Sequence, residues 1–93
     1  MSIVRGVLEI LQLADGGEPK SFNDFTRISI KNKKLSSATV SKRLDELVGV
    51  KLLEERIIRS KTGRKVIAYK TTEKGRRIIK IAKELKDAFT PGS

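Results

Sequence analysis

The side chains of this chain that could do chemistry are mostly basic. Its 93 residues include 21 lysines and arginines and 11 aspartates and glutamates, with no histidine and no cysteine. Without cysteine there is no thiolate nucleophile and no cysteine zinc site, and without histidine the commonest general base and metal ligand are missing. The chain also has no glycine-rich phosphate loop and no obvious carboxylate pair. We therefore expect a protein that is not an enzyme and that uses no cofactor and no metal ion.

The positive charge is concentrated after residue 30. Residues 1–30 carry a net charge of −1 and residues 31–93 carry +11, which together give the formal +10. Two stretches, 31–43 and 56–70, contain basic residues and no acidic ones. Such patches attract nucleic acid. The alternative is a solvated surface or a hyperthermophile's charge enrichment, but extra ion pairs would add charges of both signs.

The sequence predicts neither a membrane-spanning helix nor a secretory signal. No apolar run approaches the roughly 18 residues that a spanning helix needs, and the first ten residues, MSIVRGVLEI, lack the basic start and cleavage site of a secretory signal. We expect a cytoplasmic, nucleoid-associated protein.

Apolar spacing and capping residues divide the chain into helices and a hairpin. Ser21 with Asp24 predicts a capping box at the second helix, and Leu35 with Val40 predicts a hydrophobic staple around a Ser36 N-cap. The predicted elements are helices over 3–14, 21–29 and 36–49, strands over 52–59 and 65–71, and a last helix over about 72–89. The fold class is thus mainly α with a small β-hairpin (α+β), in the order α-α-α-β-β-α. We expect a single domain over residues 1–93.

Two motifs carry a family resemblance that covers roughly residues 3–90. The run Ser36–Leu47, SSATVSKRLDEL, resembles the recognition helix of small, archaeal-like MarR- and HxlR-type transcription regulators. Tyr69–Gly75, YKTTEKG, resembles the exit of their wing, usually Tyr-x-Leu-Thr-x-x-Gly. Thr71 stands where Leu is usual, so we expect a weaker core there, and Lys51-Leu52 stands where Gly-Leu is usual. The resemblance implies a winged helix-turn-helix protein that binds DNA sequence-specifically, usually as a homodimer.

The helix that begins at Ser36 is the expected base-reading element. Because Val40 faces inward, a period of 3.6 residues turns Ala38, Thr39 and Lys42 outward. The predicted DNA-binding residues of this helix are Ser36, Ser37, Ala38, Thr39, Ser41, Lys42 and Arg43. Small groups can contact a thymine methyl, and basic groups can reach guanine acceptors. The alternative is that the small residues only start a helix and that Lys42 is solvated.

The hairpin between residues 56 and 70 is the expected wing. Its predicted DNA-binding residues are Arg59, Lys61, Arg64 and Lys65, joined by Lys31, Lys33 and Lys34 from the turn before the recognition helix. Arg64 stands beside Gly63, a residue type that can supply the positive φ of a short hairpin loop, and is the candidate for the minor groove. The other basic residues are expected to face phosphates. Any one of them could instead be a solvated charge.

The first and last helices have broad apolar arcs, from which we expect a homodimer interface. Its predicted residues are Ile3, Val7, Ile81, Leu85, Ala88 and Phe89. The alternative is that these arcs form a satellite core inside one subunit.

The predicted function is therefore a homodimeric, sequence-specific regulator that binds double-stranded DNA. One alternative is a non-specific architectural protein, which would use the same charge without reading bases. An RNA-binding or protein-docking winged helix also remains open, because the fold does not fix the function. The sequence does not identify a small-molecule effector.

Overall fold

The computed structural model describes residues 6–89. Its elements are α1 (Val7–Ala14), β1 (Lys20–Ser21), α2 (Phe22–Phe25), β2 (Ser29–Ile30), β3 (Lys33–Lys34), α3 (Ser37–Gly49), β4 (Leu53–Arg59), β5 (Lys65–Thr71) and α4 (Glu73–Ala88). The α+β fold class is confirmed, since all four predicted helices and the predicted hairpin are present. Three strands of two residues each, β1, β2 and β3, add to the predicted order.

The core lies where the first three helices meet the base of the hairpin. Ile10 and Leu11 of α1, Phe25 of α2 and Val40 of α3 are completely buried, and Leu53 at the start of β4 closes the cluster. Most other apolar side chains of α1 are half-buried against this cluster. Much of the broad apolar arc of α1 therefore packs against the core of its own chain.

The second helix is shorter than the sequence predicted. Its capping box is present, since the Ser21 N–H donates to Asp24 Oδ2 at 2.9 Å, but α2 ends at Phe25 and not near residue 29. β2 and β3 instead form an antiparallel ribbon. Lys31 and Asn32 make its turn with φ of 52° and 67°. A two-residue hairpin turn with positive φ at both central residues matches the twist of its strands.

The third helix begins as predicted. Ser36 Oγ accepts a hydrogen bond from the Thr39 N–H at 3.1 Å, which satisfies one of the free donors of the first turn. Leu35 and Val40 both lie in the buried cluster, as the staple requires. Leu44 and Leu47 continue the buried stripe. The inner face of α3 is thus fixed against the core.

The end of α3 contains a left-handed residue that is not glycine. Lys51 has a φ of 65°. Its N–H donates to Val48 O at 3.0 Å, and the Leu52 N–H donates to Leu47 O at 2.9 Å. This pair of bonds is the Schellman C-cap, whose left-handed position is usually glycine. Lys51 therefore stands where the usual Gly-Leu pattern has its glycine, so the residue differs while the cap is kept.

The hairpin is the larger part of a three-stranded antiparallel sheet with the order β1-β5-β4. β4 and β5 pair without a break from Leu53 opposite Thr71 to Arg59 opposite Lys65. The opposite edge of β5 is covered by β1 only at Ala68 and Tyr69. β4 is the last strand, and within residues 6–89 no further strand pairs with its outer edge. The loop between the two strands uses Gly63 at a φ of 84°, as the sequence predicted.

Thr71 corrects the expectation of a weaker core at the exit of the hairpin. Its side chain is buried, and Thr71 Oγ1 donates to Leu11 O at 2.6 Å. Leu11 lies in the last four residues of α1, whose carbonyls have no partner within the helix. The hydroxyl therefore pairs a buried acceptor that a leucine would leave unpaired.

The start of α4 is bonded to the end of α3. The hydroxyl of Thr72 donates to Lys51 O at 2.7 Å and accepts from the Gly75 N–H as the N-cap of α4. Lys74 Nζ donates to Val50 O at 3.0 Å. The carbonyls at the C-terminus of α3 thus receive donors from the first turn of α4.

Gly75 packs tightly against Leu52, which follows α3, and against Thr71 at the end of β5. A Cβ atom there would stand 2.5 Å from both Leu52 O and Thr71 Cγ2. No larger residue fits without moving the backbone. On the other side of α4, Arg76 Nε forms an ion pair with Asp15 Oδ1 at 2.8 Å and ties the helix to the end of α1.

Candidate nucleic-acid interface

The outer face of α3 is open to solvent. Ser37, Ala38, Ser41 and Lys42 are exposed, and Thr39 is half-buried at the edge of the core. The side chains predicted to turn outward therefore lie on the side of α3 away from Leu44. This face combines short side chains with one long basic one, so it can approach a groove closely.

The first turn of α3 holds two hydroxyls together. Ser36 Oγ donates to Thr39 Oγ1 at 2.9 Å while it accepts the Thr39 N–H. The proton of Ser36 is thus used inside the cap, and Ser37 presents the neighbouring exposed hydroxyl. Backbone N–H groups at a helix N-terminus suit a phosphate oxygen.

Arg43 differs from the other predicted readers. Its side chain is only 13% exposed, and Arg43 Nη1 forms an ion pair with Glu46 Oε1 at 2.8 Å. A guanine contact by Arg43 would compete with this ion pair. Lys42, by contrast, is exposed beside it on the helix.

Three predicted phosphate-binding lysines cluster just before α3. Lys31 lies in the β2–β3 turn, and Lys33 and Lys34 form β3. All three are exposed. The ribbon that shortened α2 therefore presents three positive charges next to the N-terminal end of α3.

The basic residues of the wing surround a well-defined loop. The Ser60 N–H donates to Arg64 O at 2.8 Å, and the Gly63 N–H donates to Ser60 O at 2.9 Å. Arg59 Nη1 also donates to Gly63 O at 3.2 Å. The exposed basic residues of the wing tip are Arg59, Lys61, Arg64 and Lys65.

The base of the hairpin carries charges of both signs, Glu54 and Glu55 with Arg56 and Lys70, whereas its tip is basic. Burial, followed by the charges of Glu55 and Asp45, raises the pKa of Tyr69 above its ordinary value. The phenol is therefore neutral at physiological pH, and its ring packs edge-on against Phe25 with centroids 5.9 Å apart. Glu54 is ion-paired with Arg56 at 3.1 Å. The net positive charge of the wing is therefore concentrated at its tip.

Two exposed isoleucines on the wing were not predicted from the sequence. Ile57 and Ile67 lie opposite each other in the β4–β5 ladder and are 73% and 52% exposed. The available signal was the adjacent pair Ile57-Ile58. Consecutive residues of a strand point to opposite faces, so this pair places one isoleucine on each face of the wing.

The two outer helices differ in how much apolar surface they expose. Val7 is half-buried against its own core, whereas Ile81, Leu85, Ala88 and Phe89 of the last helix and its C-cap are exposed, Phe89 by 79%. Ile3 lies outside the described residues. Within residues 6–89, the surplus apolar surface predicted for a partner is therefore found on α4.

A metal site and a membrane-spanning helix were also searched for in residues 6–89. Across residues 6–89, no three Asp or Glu side chains come together as a metal site would need. No helix in the same range is long and apolar enough to cross a bilayer.

A helix-turn-helix pair followed by a basic hairpin and a further helix is the arrangement of a winged-helix fold. The particular family follows from the sequence profile of the HxlR-like helix-turn-helix, which matches residues 6–90. The chain belongs to this family. No curated protein matches the sequence significantly.

Solved structures of transcription regulators share the fold over most of their length. A PadR-like transcription factor from Bacteroides fragilis superposes with a TM-score of 0.71 at 23% identity, over 94% of this chain and 91% of that one. A PadR family regulator from Clostridium difficile gives 0.67 at 17% identity, over 90% and 85%. The reduced form of the regulator YodB from Bacillus subtilis gives 0.65 at 21% identity, over 94% and 79%.

Proposed function

We propose that this protein is a homodimeric, sequence-specific regulator of transcription that binds double-stranded DNA in the cytoplasm. The whole chain acts as one winged-helix domain. α3 enters the major groove, and the tip of the β4–β5 wing contacts the backbone or the minor groove beside it. Lys31, Lys33 and Lys34 bind phosphates at the N-terminal end of α3.

One observation carries this proposal. The outer face of α3 is exposed, and basic residues lie both before it, in the β2–β3 ribbon, and after it, in the β4–β5 wing. The inner face of α3 is fixed by Val40, Leu44 and Leu47, so the outer face is presented rigidly. The exposed lysines of β3 and the wing supply the charge that attracts DNA. Phosphate contacts position a protein, while base contacts give it specificity. The proposal assigns the phosphate contacts to the exposed lysines and the base contacts to the outer face of α3.

The dimer is proposed from the apolar row on the last helix. Ile78, Ile81 and Leu85 are exposed at spacings of three and four residues, and Phe89 follows at its end. This spacing is that of a helix packing seam. In a symmetric dimer, two α3 helices would enter successive major grooves about 34 Å, or ~10 base pairs, apart.

Selection of bound duplexes from a random library at one fixed salt concentration tests the proposal. We expect an enriched inverted repeat. Thr39→Ala, and separately Arg43→Ala, should then weaken binding to the selected site by about 1–3 kcal/mol if the native side chain binds a base there. Binding to random DNA should change much less. Lys80→Ala on α4 is the matched control for the charge that Arg43→Ala removes, since Lys80 is also exposed.

A second candidate function is non-specific architectural binding, which one observation favours. The outer face of α3 holds mostly short side chains, and Arg43 is already paired with Glu46. If Lys42 contacts a phosphate, α3 would bind DNA without reading it. An equal weakening on the selected and random DNA, with no enriched motif, would establish this function in place of the first.

A further inference from the structure

The open edge of β4 has backbone groups directed into solvent at alternate residues. The Ser60 N–H donates to Arg64 O, and the Thr72 N–H donates to Leu52 O. In an antiparallel ladder, hydrogen-bonded residues alternate, so the even-numbered residues of β4 direct their backbone groups toward β5. Glu55, Ile57 and Arg59 direct theirs to the open side. Such a row of unpaired donors and acceptors is a template for another strand.

The side chains beside this edge include an exposed apolar pair, which an electrostatic contact with DNA would not need. Ile57 and Ile67 share one face of the sheet and form a shallow groove with Glu55 and Arg56. Residues two apart on a strand share a face, so Glu55 and Arg59 lie on the same face as Ile57. Along this face, β4 presents an acidic, an apolar and a basic side chain in that order, from Glu55 through Ile57 to Arg59.

This order makes the edge complementary to itself. In an antiparallel pair of two β4 strands with Ile57 on the two-fold axis, Ile57 faces Ile57 of the second copy. Glu55 then stands opposite Arg59 of the second copy, and the reverse contact repeats the pair. An axis at Glu55 would instead oppose two glutamates, and an axis at Arg59 would oppose two arginines. Registers centred on even-numbered residues place a charge opposite Ile57. Opposite charges across a ladder stabilise it, and like charges destabilise it.

We propose that the β4 edges of two copies of this chain pair in the register centred on Ile57. The joined wings form one six-stranded sheet in which Ile57 and Ile67 of both copies make a single apolar cluster. The patch is small, so this contact is weaker than a standard interface of roughly 1,600 Å². It is separate from the α4 surface, and it does not rest on the proposed function.

The absence of native cysteine makes the register directly testable. In the proposed register the two Ile57 Cα atoms are about 5.5 Å apart, as in a hydrogen-bonded pair, which is within disulfide range. The two Ile67 residues are three strand spacings apart, roughly 14 Å, which is beyond it. We expect Ile57→Cys to form a disulfide-linked pair of chains under diamide at high protein concentration, at least tenfold faster than Ile67→Cys. Circular dichroism checks that both variants are folded.

Charge reversal provides the second measurement. In the Ile57→Cys background, Glu55→Arg should slow cross-linking several-fold, because it opposes two arginines. Adding Arg59→Glu should restore the rate, since the opposite charges are only exchanged. Equal cross-linking of the Ile57→Cys and Ile67→Cys proteins, or no rescue by the double exchange, would overturn the proposal. If Ile57→Ser weakens DNA binding while Ile57→Cys fails to cross-link, the isoleucine pair is a DNA contact and not a contact between copies.

Discussion

Lys51 keeps a left-handed backbone that a side chain with a Cβ atom disfavours. The left-handed conformation costs an L-residue about 1–2 kcal/mol, and glycine adopts it without that penalty. Part of the stability that glycine would add at this position is lost again, because glycine is more flexible in the unfolded chain. We therefore expect Lys51→Gly to raise the free energy of unfolding by about 1 kcal/mol. Urea denaturation at one fixed protein concentration measures it.

Lys51→Ala is the matched control for removal of the lysine side chain. Alanine removes the same charge but keeps the Cβ atom, so we expect no comparable gain. A similar stabilisation in both variants would mean that the charge of Lys51, and not its φ, is unfavourable.

Thr71 stabilises the protein through its hydroxyl, since the bond to Leu11 O is buried. Thr71→Val keeps the shape but leaves the carbonyl unpaired, which should lower the free energy of unfolding by about 1–3 kcal/mol. Thr71→Ser keeps the hydroxyl and removes only the methyl group, so it isolates the bond. Thermal unfolding of both variants gives the comparison. An unchanged Thr71→Val protein would contradict the role of this bond.

At the scale of elements, the wing is expected to bind DNA through charge. Arg64→Ala combined with Lys65→Ala should weaken binding and flatten the plot of log K against log salt by roughly 1 for each phosphate that the variant no longer binds. Fluorescence anisotropy with a labelled duplex at several salt concentrations measures this slope.

Lys80→Ala combined with Lys83→Ala removes the same charge from exposed positions of α4. This control should leave the slope nearly unchanged. If both double variants flatten it equally, the effect is one of total charge and the wing is not a specific contact.

The elements that the sequence predicted well carry several agreeing signals. α3 has an N-cap, a staple and a buried stripe, and α4 has the cap at Thr72. The ribbon of β2 and β3 could not be predicted because it depends on left-handed conformations at Lys31 and Asn32, residues without the usual Asn-Gly signal of such a turn. β1 could not be predicted because its partner lies nearly fifty residues away, at Ala68 and Tyr69.

The sequence predicted which residues belong to the candidate site, but it was not used to predict which of their side chains pair with one another. The sequence located the basic residues of the wing and the outward face of α3. The ion pair of Arg43 with Glu46 was not predicted, although a helix brings residues three apart together and turns Asp45, only two residues away, to another side. The sequence also missed the exposure of Ile57, since strand alternation does not say where a sheet leaves the core.

For the whole molecule, we expect a dimer through the last helix. Phe89→Asp places a charge in the exposed apolar row, so it should weaken self-association by at least about tenfold, the factor that 1.4 kcal/mol gives. Sedimentation equilibrium at micromolar concentration measures the mass, where the smaller wing contact contributes little.

Lys83→Asp is the control, because it also introduces an aspartate on α4 but outside the row of Ile81 and Leu85. We expect it to remain a dimer. A wild-type monomer at micromolar concentration would reject the α4 interface.

The bonds that join the end of α3 to the start of α4 have a mechanical consequence. Thr72 and Lys74 donate to the carbonyls of Lys51 and of Val50, the C-cap of α3, and Gly75 lets the start of α4 pack against the backbone of Leu52. The first turn of α4 is therefore linked by hydrogen bonds to the residues that end α3. In a dimer held by α4, we expect a change in the crossing angle of the two α4 helices to change the distance between the two α3 helices. The affinity for DNA would then depend on whether this distance matches the spacing of two successive major grooves.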